Sequence, residues 1–181
     1  MTYVSIWTGG PIPLKWQKRI AANAHRVGGL VLFTDQLVSL PEVEVRDVWE
    51  VVEDIMRDPE WSVWFVRFMA HHWPSERFGE EIALSDFLRL FLALFIKNMV
   101  YVDCDVKLYT KVPADTRLMF AEYHGPRIDH CLFAVNGQTE QVADILRELC
   151  DQPQITRRSL YSVVNHQENV GAISQRIFRH K

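Results

Sequence analysis

Residues 3–35 read YVSIWTGGPIPLKWQKRIAANAHRVGGLVLFTD, and this stretch decides the fold. Tyr3 to Thr8 is β-branched and aromatic and stops at Gly9-Gly10-Pro11, a short strand running into a tight turn. Pro13 suits the first turn of a helix, and Trp16, Ile20 and Ala24 recur at helical spacing as far as Arg26. Gly28-Gly29 closes that helix. Leu30 to Thr34 is then a continuous apolar run ending at Asp35. A run without alternation marks a strand covered on both faces, as in a parallel sheet. Strand, helix and strand within about 35 residues make a βαβ unit.

Outward from that unit, residues 36–80 read as an inserted helical segment, with the helical insertion proper at about 41–80. Val45, Val48, Trp49, Val52 and Ile55 form one amphipathic stripe, and Trp61, Trp64, Phe65 and Phe68 a second. Such spacing assigns these tryptophans to core packing rather than to a carbohydrate platform. His71 and His72 project to different sides of a helix, so a shared metal is not expected of them, and they read as surface or helix-end residues. Residues 82–96, IALSDFLRLFLALFI, are apolar almost all round, which is the pattern of a buried helix. On such a helix Ser85, Asp86 and Arg89 are conspicuous, and Asp86 and Arg89, three apart, share a face. After Lys97-Asn98, the strand MVYV (99–102) runs straight into Asp103-Cys104-Asp105, and Val106 to Tyr109 resumes strand character. Residues 115–123 and 128–135 are further strand candidates, Thr139 to Leu149 is a helix, and residues 154–181 are weakly patterned. The expectation is an α/β architecture, a mainly parallel sheet flanked by helices, in a single domain over 1–181.

Composition sets the bounds. The 181 residues are 48% hydrophobic, 24% charged and 12% aromatic, which excludes a disordered chain and suits one well-filled core. A net charge of −3 exerts no global pull toward nucleic acid or anionic membrane. The three cysteines, Cys104, Cys131 and Cys150, form no CxxC, which argues against a zinc site or a disulfide framework. The longest apolar stretch, Leu90 to Ile96, is far short of the roughly 20 residues of a membrane span. MTYVSIWTGGP lacks the pattern of a signal peptide, so a cytoplasmic protein is expected.

In parallel sheets ligands gather at the carboxyl ends of the strands. The residues found at those ends are Trp7, Asp35, Asp103 and Asp105. Residues i and i+2 of a strand point to one side, so Asp103 and Asp105 can address one cation, or they can be two ordinary solvated acids of a turn. All-oxygen ligands favour a hard ion such as Mg²⁺ or Mn²⁺. Cys104 faces the other way, toward packing. Asp86 and Arg89 are either a helix-surface ion pair or an internal one able to hold a polar ligand with the guanidinium fork. Trp7 either stacks on a flat ring or belongs to the core.

Three ordered blocks together resemble a family. SDFLRLFLALFIKNMVYVDCDVKL (85–108), VSIWTGGPIP (4–13) and LVLFTDQ (30–36) are similar to the signature of glycosyltransferases with a DXD sugar-binding region, a group that includes family 32 enzymes and the glucosyltransferase domains of large clostridial toxins. The resemblance implies a GT-A-like fold and sugar transfer, with retention, from a nucleotide-sugar donor. It implies Asp105 as the direct ligand of a Mn²⁺ or Mg²⁺ cofactor on the donor diphosphate, and Asp103 reaching the ribose, the sugar and the metal shell. Asp86 and Arg89 would hold sugar hydroxyls, Trp7 would stack on the base with Thr8 beside it, and a UDP-sugar is the first expectation. The acceptor, whether carbohydrate, lipid or protein, is not specified. Lys97-Asn98 stands where the family has Gly-Gly, and no Trp follows Trp73, so Asn165, His166 and His180 are the late candidates to complete the metal site. Two alternatives use the same residues: a non-catalytic nucleotide-binding remnant of the fold, and a metal-dependent phosphohydrolase built on Asp103 and Asp105.

Overall fold

The sheet grows outward from its first strand. The computed structural model describes residues 1–72, 80–115, 117–123, 127–151 and 170–179. β1 (Thr2–Trp7) lies parallel to β2 (Leu30–Thr34) on one side, Val4 opposite Val31 and Trp7 opposite Thr34. On its other side it lies parallel to β4 (Asn98–Val102), Thr2 opposite Met99 and Val4 opposite Tyr101. β3 (Val43–Asp47) extends the parallel part beyond β2. Past β4, the long β7 (Arg127–Asn136) runs antiparallel to β4 and to β6 (Met119–Tyr123), and β8 (Gly171–Ile173) lies parallel to β6. The order is β3-β2-β1-β4-β7-β6-β8, a mostly parallel sheet with β7 as its reversed strand. A separate two-stranded ladder joins β5 (Lys107–Leu108) to β9 (Phe178–Arg179).

Alternation along β1 and β4 sends side chains to two cores. Val4, Ile6, Met99 and Tyr101 face α2 (Trp49–Arg57), α3 (Pro59–His72), α4 (Glu80–Phe95) and α5 (Thr139–Cys150). Tyr3, Val100 and Val102 face α1 (Leu14–Val27), where Ile20 and Ala24 are buried. Each strand is thus covered on both sides, which is why it reads as mostly apolar, and the buried Ser5 hydroxyl of β1 donates to the Val102 carbonyl at 2.6 Å. The tryptophan stripe is core where it matters: Trp61 is buried, edge-on to Phe91 at 5.9 Å, and Phe68 stacks on Phe87. α4 is buried as its composition demands, at Leu84 and from Phe87 through Ala93.

One expectation of the sequence fails. Residues 43–47 are not the start of a helical insertion but the strand β3, whose sequence VEVRD alternates with the period of two that a strand needs. Val45 belongs to that strand, and the helical stripe begins only around Val48, which caps α2. Among the described residues no helix is long and apolar enough to cross a membrane.

Candidate active site

The parallel strands deliver Trp7, Asp35 and the Asp103–Asp105 segment to one edge of the sheet, the carboxyl ends of β1, β2 and β4. Trp7 is half-buried and packs partly against the α1-side core. Its indole N–H donates to the Gly10 carbonyl at 3.0 Å, so the turn after β1 folds back under the ring. That turn requires φ of +78° at Gly9 and +63° at Gly10, a backbone region closed to most side chains. The Gly9 N–H lies 3.4 Å from a carboxylate oxygen of Asp35, tying the ends of β1 and β2 together. Thr8 is half-buried between them and Asp35 is exposed.

β4 stops at Val102, and Asp103-Cys104-Asp105 forms a turn instead of a strand end, so side-chain alternation is not what sets the two carboxylates. The turn is closed by the Val106 N–H donating to the Asp103 carbonyl at 2.9 Å. The Asp103 N–H still reaches β7, donating to the Cys131 carbonyl at 2.8 Å. Cys104 is buried, its thiol 3.4 Å from the Ile6 carbonyl. Burial first, then the charges of Asp103 and Asp105, push that thiol well up from its ordinary value, so it stays protonated and packs.

Arg89 joins helix to turn. It is 3% exposed. One guanidinium nitrogen lies 2.5 Å from Asp86 on the same helix face. Another lies 3.1 and 3.3 Å from the two carboxylate oxygens of Asp103. Its Nε donates to the Ser85 carbonyl at 3.2 Å, and the guanidinium sits over the ring of Tyr101, 4.6 Å from the centroid. The internal pair expected of Asp86 and Arg89 is therefore a bridge, Asp86–Arg89–Asp103, spanning α4 and the turn after β4. Burial alone would lower the Arg89 pKa, but the charge of Asp103, with that of Asp86 behind it, raises it above the usual range, and the cation persists at any working pH.

Tyr101 was legible only as one apolar residue of a strand, yet its hydroxyl donates to Asp103 at 2.7 Å. A fully buried tyrosine needs a partner for its hydroxyl, and one two residues before an aspartate shares its strand face, which is the signal that could have found it. Burial holds its phenol well above the ordinary value, with Arg89 opposing, so it remains a neutral donor. Asp103 thus receives a cation and a hydroxyl while Asp105 stands two residues on. Among the described residues no group of three or more His, Cys, Asp and Glu converges as a metal cage. Asn165, His166 and His180 lie outside the described residues. A cavity of about 300 Å³ lined by Thr2, Gly28, Gly29 and Glu42 lies at the amino ends of β1 and β2, away from all of these side chains.

No protein-family model matches the sequence, and no curated protein sequence matches it. The fold does match solved structures. The PaToxG glycosyltransferase superposes with a TM-score of 0.64 at 14% identity, over 90% of this chain and 68% of that one. Mouse xyloside xylosyltransferase 1 in its apo form gives 0.57 at 11% identity, over 96% and 85%. The galactosyltransferase LgtC, in complex with donor and acceptor sugar analogs, gives 0.55 at 10% identity, over 97% and 74%. The architecture is that of GT-A-type glycosyltransferases.

Proposed function

We propose that this chain is a glycosyltransferase that takes a sugar from a nucleotide-sugar donor, a UDP-sugar first, and passes it with retention to an acceptor hydroxyl. The observation that carries the reading is the Asp86–Arg89–Asp103 bridge, its guanidinium buried and its carboxylates half-buried at the carboxyl edge of a GT-A-type sheet. A desolvated guanidinium fork holds two half-buried carboxylates a fixed distance apart, acceptors that suit the vicinal hydroxyls of a sugar. Tyr101 keeps Asp103 turned toward that fork. As the anomeric bond to the diphosphate breaks, the sugar ring takes on oxocarbenium character, and the carboxylates of Asp86 and Asp103 lie where such positive charge is favoured. Trp7 and Thr8 offer the surface at which the base stacks, beside the turn at Gly9-Gly10.

The donor set also fits a divalent cation. Mg²⁺ and Mn²⁺ are commonly held by one or two carboxylates plus substrate phosphates, without a full protein cage, and Asp105 with Asp103 is such a pair. When bound, the ion neutralises charge on the departing nucleoside diphosphate.

The test is wild-type melting with UDP- and GDP-sugars, with and without Mn²⁺, followed by donor hydrolysis. A ligand at about 100 times its Kd stabilises by about 2.7 kcal/mol, a shift of several degrees. Stabilisation that requires Mn²⁺, together with donor turnover, is the expected result. Binding without turnover favours the non-catalytic remnant. Phosphate release from simple esters favours the phosphohydrolase. A melt unmoved by any nucleotide sugar overturns the reading.

A further inference from the structure

Helix α1 carries a second device that bears on the same edge. Arg19, Asn23 and Arg26, at i, i+4 and i+7, lie on one helix face, and each bonds the main chain of one short segment, residues 105–108. Arg19 donates to the Asp105 carbonyl at 2.6 Å and Arg26 to the Leu108 carbonyl at 2.7 Å. Between them Asn23, 2% exposed, donates to the Val106 carbonyl at 2.8 Å and accepts from the Leu108 N–H at 3.0 Å. The helix that follows the Trp7 turn therefore grips the chain that follows the DXD turn.

The two arginines of this clamp are not equivalent. Leu108 is also held by its ladder with Phe178, whereas Asp105 lies outside that ladder. The Arg19 guanidinium is itself steadied over the Trp16 ring, 5.7 Å from the centroid. A hydrogen bond from a cation to a carbonyl is among the stronger kind, so it restrains the peptide that follows directly on the Asp105 side chain. Resting on the transferase reading above, we propose that Arg19 is a positioning residue: through the main chain it fixes the aim of the Asp105 carboxylate and so sets how readily a divalent cation is taken up with the nucleotide. A carboxylate already held in place loses less freedom on binding than one on a loose turn.

Arg19→Met keeps the stem over Trp16 and removes the bond, and Arg26→Met removes the matching bond three residues on. The readouts are UDP binding by calorimetry across a Mn²⁺ titration, hydrogen exchange at the Val106 amide, and melting. Arg19→Met is expected to raise the half-saturating Mn²⁺ about tenfold or more, the scale seen when outer partners of a metal site are removed. It should also speed Val106 exchange, while Arg26→Met leaves the Mn²⁺ requirement at the wild-type value. Arg19→Lys, which retains a cationic donor, should recover part of the loss. If Arg19→Met does not fold, Arg19→Leu, which also lacks a donor, carries the same comparison. Wild-type Mn²⁺ dependence in a folded Arg19 variant that lacks the donor, or an equal shift in Arg26→Met, overturns the proposal alone. A wild type that takes up no UDP with Mn²⁺ contradicts the transferase reading itself.

Discussion

Two arginines in this molecule do outwardly the same thing in different places. Arg89 gathers Asp86 and Asp103 above the ring of Tyr101. Arg147, on α5, gathers Glu60, Glu140 and Asp144 at 2.7, 2.9 and 3.0 Å above the ring of Trp61. The side chain of Arg89 is 4% exposed and that of Arg147 33%. Burial closes Arg89 off from solvent while its two carboxylates are half-buried, so removing the cation leaves two poorly solvated charges facing each other. The second, with three acids and water around it, ties α5 to α3 at the surface, and water can stand in for any member.

The largest effect should come from cutting the buried cluster. Arg89→Ala leaves two carboxylates without their cation and is expected to destabilise by about 3–5 kcal/mol in urea unfolding. Arg89→Lys keeps the charge without the fork, so it should melt closer to wild type while donor turnover falls sharply. Retained turnover in Arg89→Lys would reduce the cluster to a structural pair. Next, Tyr101→Phe removes one donor from Asp103 and should cost about 1–3 kcal/mol, with an unchanged unfolding midpoint counting against the network as drawn.

These consequences were only partly visible in the order of residues. β1 was legible because it is β-branched and aromatic up to a glycine turn, β2 and β4 because they are short apolar runs, and α4 because it is apolar almost all round. β3 was hidden because Val45, Val48 and Val52 also fall at helical spacing, so two periods fitted one stretch. The Asp86–Arg89 pair showed through its spacing on one helix face, while its partner Asp103, 14 residues away, depends on how α4 meets β4. Arg19 and Asn23 gave no sign at all. Their partners are main-chain atoms 86 and 83 residues away, and main-chain atoms leave no pattern in a sequence.

Burial governs two of the thiols as well. Burial raises Cys104, beside the Arg89 cluster, well above its ordinary 9.0, and raises Cys150, at the end of α5, to about 12. A thiol whose folded pKa is raised holds its proton more tightly in the folded chain. Its contribution is complete below the unfolded value and is lost as pH rises from there toward the folded value, at about 1.4 kcal/mol per pH unit. Melting between pH 9 and 10 should therefore fall with pH, and Cys104→Ala should flatten that fall. An equally steep decline in Cys104→Ala would mean that Cys104 is not closed off as described.

The smallest effect belongs to the surface cluster. Arg147→Ala is expected to cost no more than about 1 kcal/mol, shrinking further in high salt, whereas the penalty for Arg89→Ala should persist there. A loss at Arg147 comparable to that at Arg89 would erase the distinction between the clusters.

Asp105→Asn isolates the charge of the second carboxylate, because the change is nearly isosteric and removes only a formal charge beside the turn. The measurement is UDP-sugar hydrolysis and Mn²⁺-dependent nucleotide stabilisation of wild type and variant, with a melting curve for each. Turnover should fall by about 100-fold or more, equivalent to a barrier rise of about 2.7 kcal/mol, with loss of the Mn²⁺-dependent stabilisation and a melt close to wild type. An Asn variant that matches an active wild type at every Mn²⁺ concentration would contradict the role of Asp105 as a metal ligand.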